Sequence, residues 1–232
     1  MKKLIALLVL ILAVSSWGQT GQSDTTTLED YIASFFSRSM SGYTTPWDLD
    51  ADSSNVRQAI NDALLDISTN PILEDATSGR DTIVTDSSRW YDLPVDYFDA
   101  TWVSFADPTK NGEIGLELIR KSEIGKKTNA AALHPKFYAI DHRQIYFDPD
   151  NAADDTVFVY YRPYSAQLDT NGAVSNVVKK YKTLVVDLAI INFFSGRSGA
   201  DVGLIIANAE KRIAITAVKL GIEPKSVLPD IK

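Results

Sequence analysis

Four stretches of the chain repeat apolar side chains at the three- and four-residue spacing of an amphipathic helix. The first follows the capping-box pattern Thr26-Thr27-Leu28-Glu29 and ends before Gly42 and Pro46. The second follows the N-cap candidates Asp52, Ser53 and Ser54, and Pro71 bars its continuation. The positions predicted to face the core are Leu28, Ile32, Phe35, Phe36, Val56, Ile60, Ala63, Leu64 and Ile67.

The third helix is predicted from the N-cap candidate Ser175 to Gly196, and the fourth from about Ala200 to Leu220. Ile222–Lys232 carries two prolines and alternating apolar residues, which predicts an extended tail. Lys179, Lys180, Lys182 and Asp187 are expected on the outer face of the third helix. The expected core positions of the two helices are Val177, Tyr181, Leu184, Val185, Leu188, Ile191, Val202, Ile205, Ile206, Ala209, Ile213, Ala217 and Leu220.

Between the second and third helices, the apolar period falls to two, which indicates strands. Two hairpins are predicted first, Thr82–Thr85 with Arg89–Leu93 and Thr101–Ala106 with Gly115–Arg120. A surface loop follows at Gly125–Ala132. After it, a three-stranded meander is predicted from Phe137–Ile140, Gln144–Phe147 and Thr156–Arg162. The fold class is therefore α+β: a four-helix frame (28–70 and 175–220) with an antiparallel β unit (81–162), a small barrel or sandwich-like unit, inserted between helices two and three.

The first 18 residues differ from the rest. Lys2 and Lys3 precede the apolar run Leu4–Val14, and Ser16 and Gly18 place small residues at a plausible cleavage point. This pattern predicts either a secretory signal peptide or an apolar arm that stays buried in the mature particle. Residues 19–27, rich in Gly, Ser, Thr and Gln, are expected to form a linker.

Composition excludes several classes of site. The chain of 232 residues contains no cysteine, which excludes disulfides, thiolate metal sites and cysteine nucleophiles. Its 23 Lys and Arg against 30 Asp and Glu give a net charge of −7, which opposes tight wrapping of nucleic acid. The charge leaves open the transient passage of DNA along an acidic wall.

The candidate chemical groups do not complete any known motif. Asp48, Asp50 and Asp52 begin like a calcium loop, but Ser53 and Ala59 stand where Gly and the bidentate Glu are required. The other candidates are the acidic residues Asp148, Asp150, Asp154 and Asp155, the two histidines His134 and His142, and Ser195 outside any G-x-S-x-G elbow. We expect solvated acidic loops, with weak cation binding as the alternative, and neither a catalytic site, a metal nor a cofactor.

Aromatic residues are concentrated in the predicted strands. They favour core and cross-strand packing, with a surface for a protein or glycan as the alternative. The residues concerned are Trp90, Trp102, Tyr138, Tyr146, Tyr160, Tyr161 and Tyr164.

Several short motifs, in order, resemble the head-to-tail adaptor (connector, or neck) proteins of tailed bacteriophages. They are INDALLDIS in the second helix, Tyr91–Pro94 followed by Asp96-Tyr97, the paired segments Pro135–Ile140 and Gln144–Pro149, and a helix that contains Tyr181 and ends in AIINFF. The likeness covers most of residues 28–220. The signal-like amino terminus is not part of the family pattern.

The resemblance implies a structural virion protein of the neck. Such adaptors form a ring of copies, commonly twelve, between the portal and a downstream tail or neck protein, and DNA passes without specific binding. The carboxy-terminal tail often docks on the portal in this group, and Ile222, Val227, Leu228 and Ile231 would be the docking residues here. A membrane would be met only through residues 1–18, if these are retained.

The alternative hypothesis is an exported protein of a Gram-negative bacterium. It would lie in the periplasm or at the cell surface after signal cleavage, and its β unit would bind a protein or glycan partner. An enzyme has the least support.

Overall fold

The computed structural model describes residues 26–39, 49–86, 88, 90–107, 109, 112–127, 134–148, 153–170, 172–195, 197 and 199–228. The amino-terminal segment 1–18 and most of the linker therefore lie outside the described residues. Within the described residues, four α-helices and two four-stranded sheets make an α+β fold, and the strands of both sheets lie between the second and third of these helices.

The helices are α1 (Leu28–Ser39), α2 (Leu49–Thr69), α3 (Lys182–Phe194) and α4 (Ala200–Lys219). Helix α3 is the centre of the frame, because α1, α2 and α4 all pack against it. All residues from Leu184 to Ile191 are buried, so the apolar surface surrounds α3 instead of forming one stripe. The edge-to-face rings of Phe35 and Phe193, 5.4 Å apart, join α1 to the end of α3.

The predicted helix starts are wrong in detail. Thr27, not Thr26, begins α1: its hydroxyl accepts the backbone N–H of Asp30, and the Asp30 carboxylate accepts the N–H of Thr27. Helix α2 already starts at Leu49, so Ser53 and Ser54 lie inside it. Ser175 accepts the N–H of Val177 in an extended segment, and α3 begins only after a 3-10 turn at Lys179–Tyr181.

The β unit contains two sheets. The first has the order β1 (Gly79–Asp86), β8 (Ala153–Pro163), β3 (Tyr97–Asp107) and β4 (Gly112–Gly115). The second has the order β2 (Tyr91–Asp92), β7 (Gln144–Asp148), β6 (Phe137–Asp141) and β5 (Glu117–Leu118). Both sheets contribute to a single apolar cluster, which includes Val103, Val159, Ile145 and Phe147.

Of the predicted pairings, the β6–β7 hairpin is confirmed, with Ile140 opposite Ile145. The hairpin of 82–85 with 89–93 is wrong, because β1 pairs with β8 and β2 pairs with β7. The three-stranded meander is also wrong, since β8 leaves the β6–β7 hairpin to become a central strand of the other sheet. The segment 115–120 is divided: β4 pairs with β3, and β5 pairs in parallel with β6, so the unit is not wholly antiparallel.

The predicted extended tail folds onto the frame within residues 222–228. A 3-10 turn at Pro224–Ser226 contacts α4, and Val227 is buried in the helical cluster. The side-chain amide of Asn70 donates to the carbonyl of Ser226 at 3.0 Å. This contact holds the turn beside the end of α2.

Candidate interaction surfaces

An ion-pair cluster inside the frame connects three helices. Asp187 on α3, predicted to face outward, is completely buried, and it accepts from Arg38 Nη1 of α1 at 3.0 Å and from Arg212 Nε of α4 at 2.8 Å. Burial raises the pKa of Asp187, while the neighbouring Arg212 and Arg38 act in the opposite direction. The two arginines remain partly exposed, so the cluster extends from the core to the surface.

A second polar contact joins the β unit to the frame. Arg162 of β8 is buried, and its Nη2 donates to the carbonyls of Ser68 and Asn70, both at 2.8 Å. These carbonyls lie at the carboxyl end of α2, where a helix lacks partners for its C=O groups and favours a positive charge. Strand β8, the last strand of the β unit, therefore supplies the side chain that caps the carboxyl end of α2, the helix that precedes the unit.

Helix α4 has an apolar outer face. Leu204, Ile215 and Val218 are 63%, 48% and 66% exposed, respectively. Together with Asn208 and Lys211 they follow one another at steps of four, three, four and three residues, the spacing of a coiled-coil seam. We call these five residues the α4 seam, and Asp201 precedes it on the same face.

Helix α2 has a second face of this kind. Gln58, Asp62 and Leu65 are exposed, and the exposed side chain of Ile72 follows just beyond the helix end. We call these four residues the α2 seam. A groove of about 330 Å³ runs beside it and is lined by Asn55, Gln58, Ala59, Asp62, Asn192, Phe193 and Arg197.

The outer face of the first sheet is ordered by its own side chains. Trp102 stacks on Tyr160 with ring centroids 5.1 Å apart, and the Arg80 guanidinium lies 4.0 Å above the Phe158 ring. Glu113 accepts hydrogen bonds from the hydroxyls of Ser104 and Tyr160 and is paired with Arg80; of these, the Ser104 bond is 2.6 Å. These polar groups are satisfied within the chain, which fits the predicted cross-strand packing of the aromatic residues.

The candidate chemical residues do not form a common site. Asp50 and Asp52 lie in the helical segment of α2, so no calcium loop forms there, and Asp48 and Asp150 lie outside the described residues. His134 Nδ1 pairs with the buried Asp155 at 2.8 Å, whereas His142 lies in the β6–β7 turn with φ +57°. Among the described residues, no group of three or more Asp, Glu or His has the arrangement of a metal site.

The remaining candidates have local roles. The Ser195 hydroxyl donates to the carbonyl of Ile191 at 2.6 Å at the end of α3. Ile222 and Leu228 are partly buried against the frame beside the buried Val227, and Ile231 lies outside the described residues. The predicted helical core residues lie in the helical cluster, with Ile205 only partly buried: Ile60, Leu64, Ile67, Tyr181, Leu184, Leu188, Ile205 and Ile213.

Comparison with known protein families decides the class. A model of the SU10 adaptor protein family matches residues 17–214, which is most of the chain. The protein belongs to the SU10 adaptor protein family. This family gives it a structural role as a phage head-to-tail adaptor and confirms the resemblance drawn from its motifs. No match was found among curated proteins.

The family match also bears on location and partners. An adaptor of this family interacts with other phage head and tail proteins and belongs to the virion neck. The match starts at residue 17, so nearly all of the signal-like segment lies outside it. Within the described residues, no helix combines the length and apolar character that a membrane span requires.

Sequence reasoning missed Asp187, Arg162 and the exposed apolar residues of the α4 seam. The signal for Asp187 was present: an acidic residue interrupts an otherwise apolar run from Leu184 to Ile191, which indicates a helix buried on all sides. Leu204, Ile215 and Val218 were detectable as apolar residues on the polar face of a predicted helix. Arg162 gave no local signal, since its partners are more than 90 residues away.

Proposed function

We propose that copies of this protein form a ring between the portal and the tail of a tailed phage, commonly of twelve subunits. The observation that carries the proposal is the match to the adaptor family over residues 17–214. The exposed apolar residues of α2 and α4 support it, since apolar residues grouped on one helix face mark sites of protein contact.

In this role the protein catalyses no reaction and acts through its shape and its contacts with other proteins. It aligns the portal opening with the tail channel, and DNA passes through the ring without being bound. The net charge of −7 supports this, because a ring of acidic subunits repels phosphate and avoids arresting the DNA. The prediction for a gel-shift assay at physiological salt is no retained duplex DNA.

The carboxy-terminal segment is the proposed portal-docking element, through Ile222, Leu228 and Ile231, whereas Val227, buried in the helical cluster, holds the segment on its own subunit. Because Val227 is buried on its own frame, removal of the whole segment 222–232 would also expose part of the helical core. Deletion of 229–232 alone is therefore the cleaner test. The shortened protein should melt like the full chain but lose portal in a pull-down, and retained portal binding would contradict docking through Ile231.

The ring is tested by measuring the mass of the full chain in solution. Light scattering and native mass spectrometry of the protein, alone and with portal, should show a closed oligomer near twelve times the 25.6 kDa subunit. Negative-stain images should show rings. A monomer at all concentrations, with portal present as well, would overturn the proposal.

A second candidate is an exported protein that binds a partner through its β unit, and the observation that favours it is the signal-like segment 1–18. Intact-mass measurement on protein from its native source separates the two. A chain that retains residues 1–18 within virions supports the adaptor with an amino-terminal arm. A chain cleaved near Gly18 and recovered from the periplasm supports export.

A further inference from the structure

The α2 and α4 seams lie on helices that flank the same central helix. Both α2 and α4 pack on α3, and they have few contacts with each other. One subunit therefore presents two different exposed helix faces. A ring requires this arrangement, because each subunit contacts its two neighbours through different patches.

Both seams contain exposed apolar residues, two in the α2 seam and three in the α4 seam. Leu65 and Ile72 of the α2 seam are 45% and 53% exposed, comparable to the apolar residues of the α4 seam. The groove beside Asp62 adds a concave surface next to the α2 seam, whereas the α4 seam is a straight row of side chains along one helix. Rows of side chains on one helix pack into the grooves between the side-chain rows of another.

Each seam contains one charged residue, and the two charges are opposite: Asp62 in the α2 seam and Lys211 in the α4 seam. Asp62 lies next to Leu65, and Asp66 follows one turn later; neither lies within ion-pair distance of a cation in the described part of the chain. Asp62 only accepts a hydrogen bond from the amide of Gln58 at 2.7 Å. Lys211 stands at the middle of the α4 seam, and it too makes no ion pair with any described residue.

We propose that the α4 seam of one copy packs on the α2 seam of the next copy, with Lys211 of one facing Asp62 of the other. The occupant of each seam is thus a second copy of this chain, bound head to tail. This inference rests on the proposed function, since it names the surfaces that close the ring. The apolar residues supply the buried interface area. The charge pair sets the register and disfavours contact between two α4 seams or two α2 seams.

Charge reversal tests the pairing directly. Asp62→Lys and Lys211→Glu should each place like charges together and raise the concentration needed for assembly about tenfold or more. The double variant restores opposite charges and should assemble again. An equal mixture of the two single variants should also assemble, because each kind of subunit finds a compatible neighbour in the other.

Matched controls separate this effect from a change in net charge. Glu117→Lys and Lys126→Glu reverse the same charges at exposed positions of the β unit and should leave assembly unchanged. Circular dichroism should show every variant folded, since both seam residues are exposed. Ile215→Glu tests the apolar part, and it should abolish assembly while the melting temperature stays within a few degrees of the parent.

The outcomes distinguish the inference from the proposed function. If the unaltered protein forms rings and both single variants form them equally well, the pairing of seams is wrong and the adaptor ring stands. If the single variants fail and neither the mixture nor the double variant recovers, the facing of Asp62 and Lys211 is wrong. If the unaltered protein stays monomeric with portal present, the ring and the seam pairing are both overturned.

Discussion

In the helical frame, the central helix is buried on every side, whereas each sheet of the β unit has one face in the core and the other towards solvent. The frame buries a charge cluster at Asp187, and exposed apolar residues lie on its outer helices α2 and α4. The β unit covers its outer face with its own stacked rings and ion pairs around Tyr160. The frame thus exposes apolar side chains on its outer helices, whereas contacts within the β unit cover the outer face of its first sheet.

The largest effect is expected in the centre of the frame. Leu188→Asp would bury an unpaired charge between α2 and α3. Most domains have a free energy of unfolding of ~5–15 kcal/mol, and burial of such a charge removes much or all of it. We expect no cooperative thermal transition by circular dichroism. Val95→Asp, a matched change at an exposed position before β3, should melt like the parent. A folded Leu188→Asp protein would contradict the central position of α3.

The next effect separates the members of the Asp187 cluster. Arg212→Met leaves a buried carboxylate with a single partner, Arg38, and should destabilise the protein by about 3 kcal/mol. Asp187→Leu removes the buried charge and leaves two arginines that already reach solvent, so about 0–2 kcal/mol is expected. Urea unfolding measures both, and a larger loss in Asp187→Leu than in Arg212→Met would contradict this account.

The same contrast between regions governs what the sequence reveals. The helices could be predicted because each buries residues three and four apart in the chain, such as Leu64 and Ile67, and this spacing is visible without the partner helix. The strand runs were also visible, but their partners were not. Strand β8 pairs with β1, from Asp86 opposite Ala153 to Gly79 opposite Tyr161. A strand in which apolar and polar residues alternate can pair with any neighbour of the right length, so the pattern does not name the partner.

The interaction surfaces could be predicted from the sequence less well than the helices but better than the strand partners. A helical wheel shows Leu204 and Ile215 as apolar residues outside the core stripe, so the α4 seam is recoverable from the sequence. The proposed occupant of the seam, a second copy of the chain, leaves no pattern in the sequence of one copy. Asp187 was misplaced for a related reason: a lone acidic residue in a helix is normally solvated, and only the distant Arg38 and Arg212 make its burial tolerable.

Alkaline pH should destabilise the protein through two tyrosines of the β unit. Burial raises the pKa of Tyr97 and Tyr161 to about 12, with Asp99 and Asp96 as the second cause in each case. Because the folded pKa exceeds the unfolded value of 10.0, this stability is fully present below pH 10 and is lost as the pH rises towards 12. Absorbance at 295 nm should show these tyrosines ionising last, together with unfolding; Tyr97→Phe should remove part of the pH dependence.

The smallest effect concerns the start of α1, at the edge of the frame. Hydrogen bonds from the backbone and hydroxyl of Thr27 hold the pKa of Asp30 below its usual value. Because that pKa is depressed, the stabilisation is present above the unfolded value of 3.8 and is lost as the pH falls through the folded pKa. Asp30→Ala should cost about 1 kcal/mol at neutral pH, and the difference from the parent should shrink in acid.

Glu29→Ala is the matched control for Asp30→Ala, since Glu29 is the neighbouring acidic residue in the first turn of α1 and was the partner expected from the sequence. It should change the melting temperature less than Asp30→Ala does, because it loses only a favourable interaction with the helix dipole. A larger loss in Glu29→Ala would mean that Thr26 and Glu29 form the capping box after all. That result would move the start of α1 by one residue.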